Sequence, residues 1–142
     1  MHPKDLKFWV ALHSVEGIGA ATYAKLLQKF GSPENVFSAP LEDIASIPRL
    51  SLDKAKEILA AIEKLDQVEK MMLQLYDYGA EIVTIEDEAY PFMLRTIKKT
   101  PPILYCISRM TDADQKSIAI VGSRDASDYG LLIARGFGSG LA

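Results

Sequence analysis

The spacing of apolar residues changes once along this chain, near residue 79, and this change constrains the fold more than any other feature. Over residues 6–75, apolar side chains recur every three or four positions, which is the spacing of one face of an amphipathic helix. Helix-breaking and capping residues, such as the GSP run at 31–33 and Ser51, divide this stretch into five short helices. We therefore predict an all-helical domain over residues 1–78.

After Gly79, a predicted helix C-cap, the chain contains three apolar runs rich in β-branched residues. They are AEIVTI, ILYCI and SIAIVG, the last of which covers residues 117–122. Runs that are apolar throughout, without alternation, are typical of strands in a parallel sheet buried on both faces. A helix capped by Ser127 or Asp128 follows them. We therefore predict an α/β fold overall, in which residues 79–142 begin an α/β domain with a mostly parallel sheet.

Composition excludes several classes of protein. The 16 lysines and arginines are outnumbered by 19 aspartates and glutamates, so no bulk positive field attracts nucleic acid or anionic lipid. Cys106 is the only cysteine and the two histidines are close to the start of the chain, which argues against a disulfide framework, a metal site or a cofactor held by such ligands. No run approaches the ~20 apolar residues of a membrane span. We expect a soluble protein of the reducing cytoplasm.

The sequence SIAIVGSRDASDYG (117–130) places a Gly-Ser-Arg turn between a predicted strand and a predicted helix. At this position a turn collects free backbone N–H groups and the positive end of the helix dipole. Gly122 permits close approach of a ligand, Ser123 adds a hydroxyl and Arg124 adds a bidentate cation suited to phosphate. The turn therefore predicts a site for one phosphate group. The alternative is that Arg124 only pairs with Asp125 or Asp128.

A second glycine motif lies in the helical half. Gly17, Ile18 and Gly19 stand between two predicted helices, in the pattern of a helix-hairpin-helix turn that can present backbone N–H groups to a DNA phosphate. The PRL run at 48–50 marks a degraded second copy without glycines, which we expect not to hold phosphate. Because acidic residues outnumber basic ones in this half, the motif also fits a structural or protein-contact role.

Two segments together resemble one protein family. The run AIVGSRDASDYG, preceded by YPFMLRTIKKTPPILY, resembles DNA processing protein A, the DprA/Smf family of bacteria, and the order of the helical and α/β regions matches that family too. The resemblance implies a Rossmann-like domain that binds single-stranded DNA, loads RecA during natural transformation, forms a homodimer when full length and has no enzymatic activity. It places Gly122, Ser123 and Arg124 at the DNA-phosphate site. Ser108 stands where the family commonly has glycine.

The same resemblance predicts that the chain stops inside the first helix of the Rossmann-like domain, because SGLA at 139–142 falls at helical positions and not in a later strand motif. We then expect residues 1–78 to fold independently, and residues 117–142 to be poorly ordered, to pair with another copy or to pack differently from the family. Two other functions stay open. One is a protein-interaction module built on the helical domain, and the weaker one is a nucleotide-handling enzyme, for which Ser123 has no evident base.

Overall fold

The computed structural model describes residues 3–108 and 118–141. The chain divides into two compact units, residues 1–110 and 111–142. The first unit holds all the strands of the described residues and all but one of their helices. None of the described helices is both long and apolar enough to cross a bilayer.

Residues 3–77 are mainly helical, as the apolar spacing predicts. A 3₁₀ turn over Ala61–Lys64 separates the last two of six α-helices. Two of the six are single-turn helices started by local signals, and Ser32 illustrates this by accepting a hydrogen bond from the Asn35 amide at 3.2 Å. Five short helices were expected. The helices are α1 (Pro3–Ser14), α2 (Ala20–Phe30), α3 (Pro33–Phe37), α4 (Leu41–Ala45), α5 (Leu52–Ala60) and α6 (Leu65–Asp77).

One hydrophobic core holds the first unit together. The ring of Trp9 stacks on that of Tyr23 with centroids 5.7 Å apart, and the buried Tyr23 hydroxyl donates a hydrogen bond to the Trp9 carbonyl at 3.1 Å. Ile82 and Ile103, from the strand region, belong to the same core as the helices. The domain boundary predicted at residue 78 stays a prediction, because the strand pair shares its core with the helical region.

The two strands, β1 (Ala80–Thr84) and β2 (Ile103–Ile107), form an antiparallel pair with Ala80 opposite Ile107 and Thr84 opposite Ile103. The α/β composition is confirmed, but the predicted parallel arrangement is wrong for this pair. In β2, Ile103 is buried while Tyr105 and Ile107 are exposed, whereas the sequence predicts burial on both faces.

The connection between the strands explains the antiparallel arrangement. It contains the single-turn helix α7 (Phe92–Arg95). The Ile85 amide donates to the Pro102 carbonyl at 3.0 Å, and the Tyr90 hydroxyl donates to the Pro101 carbonyl at 2.7 Å. These bonds hold the two ends of the connection side by side, so β2 starts where β1 ends and runs back along it.

The second unit contains one helix, α8 (Asp128–Leu141), among its described residues. The prediction of a strand over residues 117–122 is wrong for 118–122, which are neither helix nor strand, while residue 117 lies outside the described residues. A strand needs a hydrogen-bonding neighbour, and the described part of this unit offers none. The expected cap is confirmed, because the Ser127 hydroxyl accepts from the Gly130 amide at 3.2 Å.

Candidate nucleic-acid interface

The predicted phosphate-binding turn, Gly122-Ser123-Arg124, lies exposed to solvent just before α8. A side chain added at Gly122 would meet no atom within 4 Å, so a ligand has room to approach the backbone. No salt bridge joins Arg124 to Asp125 or Asp128 among the described residues. The arginine therefore keeps its charge available, which weighs against the alternative that it serves only to pair with these aspartates.

The other glycine motif forms the turn between α1 and α2, which we call the first turn (residues 15–19). Gly17 has a φ of +80°, a conformation that glycine adopts without strain. The Ile18 amide donates to the Val15 carbonyl at 3.1 Å, and the Gly19 carbonyl accepts from the Tyr23 amide as α2 begins. The Ile18 side chain is buried in the core, so a ligand at residues 17–19 would meet the backbone of the turn and not this side chain.

The turn between α4 and α5, the second turn (residues 47–51), has the same geometry without glycines. Arg49 has a φ of +73°, and the Leu50 amide donates to the Ile47 carbonyl at 3.0 Å, as Ile18 does in the first turn. The Ser51 hydroxyl then caps α5 by accepting from the Lys54 amide at 3.1 Å. The second hairpin therefore lacks the glycines of the motif but has the same backbone geometry as the first hairpin.

Two lysines link the hairpins in a reciprocal way. Lys54, on α5, donates to the Glu16 carbonyl of the first turn at 2.8 Å, while Lys25, on α2, donates to the Pro48 carbonyl of the second turn at 3.2 Å. Glu16 and Pro48 occupy equivalent positions, each just before the residue with positive φ. Each turn is thus held by an ammonium group from the other hairpin.

Two carboxylates, those of Glu16 and Glu57, lie beside the first turn. Lys54, whose ammonium lies close to Gly17, also contacts the Glu57 carboxylate, which offsets the charge of this lysine. A cavity of about 380 Å³ beside this turn is lined by Glu16, Glu57 and Lys64, together with Ser14, Val15, Ala60 and Ala61. These carboxylates oppose an anion, so the glycine-containing turn is poorly suited to hold a phosphate by itself.

A further cation lies near the start of α2. Lys98, from the connection between β1 and β2, lines a cavity of about 160 Å³ together with Ala20, Ala21 and Thr100. The remaining lining is mainly apolar. Three lysines were not identified from the sequence, namely Lys25, Lys54 and Lys98. Isolated lysines on helices and loops have no characteristic spacing in the sequence. Only the fold brings the first two to the turns and the third to the start of α2.

The other titratable groups of interest give no sign of catalysis. Burial lowers the pKa of His13, and burial, followed by the nearby Glu81, raises the pKa of the Cys106 thiol, which keeps it protonated and unreactive. Within residues 3–108 and 118–141, no cluster of three or more histidine, cysteine or acidic side chains could hold a metal ion.

Comparisons with known proteins agree with this architecture. The model of DNA recombination-mediator protein A matches residues 81–142, and the SAM-like tandem helix-hairpin-helix model matches residues 10–64, which confirms the second hairpin as a true copy. Protein Smf of Synechocystis sp. is 24% identical over 134 residues, covering 92% of this chain and 33% of that protein. This chain thus spans about a third of the length of that relative.

The helical region has relatives elsewhere. UvrABC system protein C of Desulfatibacillum aliphaticivorans is 45% identical over 53 residues, which cover 37% of this chain and 9% of that protein, and the protein of the same name from Nocardia farcinica is 39% identical over 54 residues, 38% of this chain and 8% of its own. No solved structure matches the chain significantly. On the two matched regions and the relative that spans nearly all of it, the chain is similar to the DprA/Smf family of DNA recombination-mediator proteins.

Proposed function

We propose that this protein processes DNA in natural transformation: it binds incoming single-stranded DNA, protects it and loads RecA on it for recombination. Similarity to the DprA/Smf family supports the DNA-processing role. In this proposal the protein acts by binding and not by catalysis, with single-stranded DNA and RecA as its partners.

The observation that carries the DNA-binding proposal is the exposed Gly-Ser-Arg turn. Arg124 stands four residues before α8, has no carboxylate partner among the described residues and can present two parallel N–H donors to a phosphate oxygen pair. The 14-residue helix α8 begins at Asp128, so the positive end of its dipole lies close in sequence to the turn. A backbone phosphate is the ligand that uses both features.

Protein binding through the helical region is a second candidate. Four large apolar side chains on α6 or directly after it are exposed, namely Met71, Leu73, Tyr76 and Tyr78. Surface of this kind fits a protein partner. The two candidates differ in their salt dependence, because phosphate contacts weaken steeply with salt and apolar contacts do not.

The test is a titration of the chain with a fluorescently labelled poly-thymidine oligonucleotide at about 50 mM and about 200 mM salt. We expect binding that weakens with salt. Arg124→Ala should reduce the slope of log K against log salt by about 0.7, the value for one phosphate contact on a single strand. Arg135→Ala, on α8, removes the same charge and is the control.

Either of two outcomes would contradict the proposal. The first is that the unmodified chain shows no salt-dependent binding of the oligonucleotide. The second is that the variants Arg124→Ala and Arg135→Ala give the same affinity and the same slope, which would reduce Arg124 to one charge among many.

A further inference from the structure

Arg49 occupies a backbone conformation that favours glycine. Its φ is +73°, in the left-handed region where a side chain carries strain. The first hairpin has Gly17 at the equivalent place, with a φ of +80°. The tandem therefore contains a direct comparison: the same turn is built with glycine in one copy and with a strained arginine in the other. Backbone strain of this kind indicates that the side chain has a function.

No hydrogen-bond or ion-pair partner of the Arg49 side chain is found in the described part of the chain. The side chain is exposed. Packing or internal pairing therefore does not account for an arginine at this position. A guanidinium left free in this way can bind a ligand of opposite charge.

A second cation lies beside Arg49. Lys25 donates to the carbonyl of Pro48, the residue preceding Arg49, at 3.2 Å, which fixes the ammonium at the second turn. Lys25 makes no salt bridge with a described carboxylate. The flanking helices α4 and α5 carry four acidic residues, namely Glu42, Asp43, Asp53 and Glu57. Asp43, Asp53 and Glu57 each lie near a lysine other than Lys25.

The lysines that lie near Asp43 and Asp53 are different from Lys25, which lies beside Arg49 at the second turn. Lys29 lies 3.8 Å from the Asp43 carboxylate, and Lys56 lies 3.7 Å from that of Asp53. The second turn therefore keeps two cations without acidic partners among the described residues. At the first turn, in contrast, Glu57 neutralises Lys54.

From these observations we infer that the second turn, and not the glycine-containing first turn, contacts a phosphate of the bound DNA strand through Arg49, with Lys25 as its neighbour. The guanidinium supplies the bidentate donors that match a phosphate, and the positive φ of Arg49 projects it away from the core. This inference rests on the proposed DNA-binding function and adds a contact in the helical region to the one at Arg124.

The test uses the whole 142-residue chain and a labelled poly-thymidine oligonucleotide. Arg49→Gly removes the side chain and suits the backbone, so its melting temperature should equal or exceed that of the unmodified chain. We expect this variant to lower the salt slope by about 0.7. Arg49→Lys should keep the slope and bind more weakly, because it keeps the charge and loses the fork. Lys70→Ala, an exposed charge on α6, is the control and should change neither quantity.

The possible results distinguish the proposed DNA-binding function from the role of Arg49. If Arg49→Gly binds with the slope and affinity of Lys70→Ala while Arg124→Ala loses binding, the proposed function stands and the role of Arg49 is refuted. If the unmodified chain shows no salt-dependent binding, both are refuted. A loss in Arg49→Gly together with a retained melting temperature supports the contact, because unfolding then cannot account for it.

Discussion

The hydroxyl of Tyr90 offers a sharp test of how the strand connection is held. Tyr90 is 3% exposed, and its hydroxyl donates to the Pro101 carbonyl at 2.7 Å. Tyr90→Phe removes this one bond and leaves the ring, with Arg95 above it at 5.4 Å, in place. The Pro101 residue is only partly buried, so water can replace the lost donor. We therefore expect a cost of about 1 kcal/mol, the net value of an ordinary hydrogen bond.

Urea unfolding followed by tryptophan fluorescence measures this cost directly. Trp9 is the single tryptophan of the chain and is buried in the core that includes Ile103 of β2, so its emission reports unfolding of the unit that contains Tyr90. The midpoint should fall by roughly 0.5 M at an unchanged slope. Tyr78→Phe, at a tyrosine that is 84% exposed, is the control and should leave the midpoint in place. Equal midpoints for the two variants would refute the argument that the hydroxyl holds the connection closed.

Two further predictions concern His13 and Ser108. His13 packs between Tyr23 and Tyr105, with ring centroids 6.4 Å away on each side, and burial lowers its pKa from the ordinary 6.5. The unfolded chain therefore binds a proton at higher pH than the folded one, and stability should fall as pH drops below about 6.5. His13→Gln should show a smaller fall in urea midpoint between pH 7 and pH 5, and an identical fall would contradict this. Ser108 has a φ of +98°, so Ser108→Gly should stabilise the protein by about 0.5 kcal/mol. A lower urea midpoint for that variant would show that the strain at Ser108 is not relieved by glycine.

The helical half could be predicted from the sequence because its signals are local. Ser51 and Gly79 mark helix ends through contacts within a few residues: the Ser51 hydroxyl accepts from Lys54, and Gly79 has a φ of +74°. The expected core residues Trp9 and Leu26 are buried because the helical spacing already places them on inward faces. Only the predicted number of helices was wrong, because a single-turn helix is too short to show apolar periodicity in the sequence.

The strands could be located in part but their arrangement could not. The runs at β1 and β2 have the β-branched content of strands, yet their direction is set by contacts between residues far apart in sequence, such as Tyr90 with Pro101. The run at 118–122 has the same composition and forms no strand. Composition indicates that a segment can be a strand, whereas pairing depends on a neighbour that the run itself does not specify.

The tandem hairpins show why a glycine signature alone identifies such turns incompletely. Four positions are buried in both copies, and in each case the second lies 32 residues after the first. These pairs are Leu12 with Ile44, Val15 with Ile47, Tyr23 with Ala55, and Leu26 with Ile58.

Because the same positions enter the core in both hairpins, packing fixes the path of each turn, and the turn residue must accept the resulting φ whatever its type. Glycine adopts this positive φ without strain, but it is the packing of the core that specifies the φ. The core tolerates the strain of about 1–2 kcal/mol that an arginine adds at this position. The sequence pattern therefore directs attention to the first turn, where glycine has removed the strain and carboxylates surround the backbone. The chemistry suited to an anion lies at the second turn, where Arg49 carries both the strain and the unpaired charge.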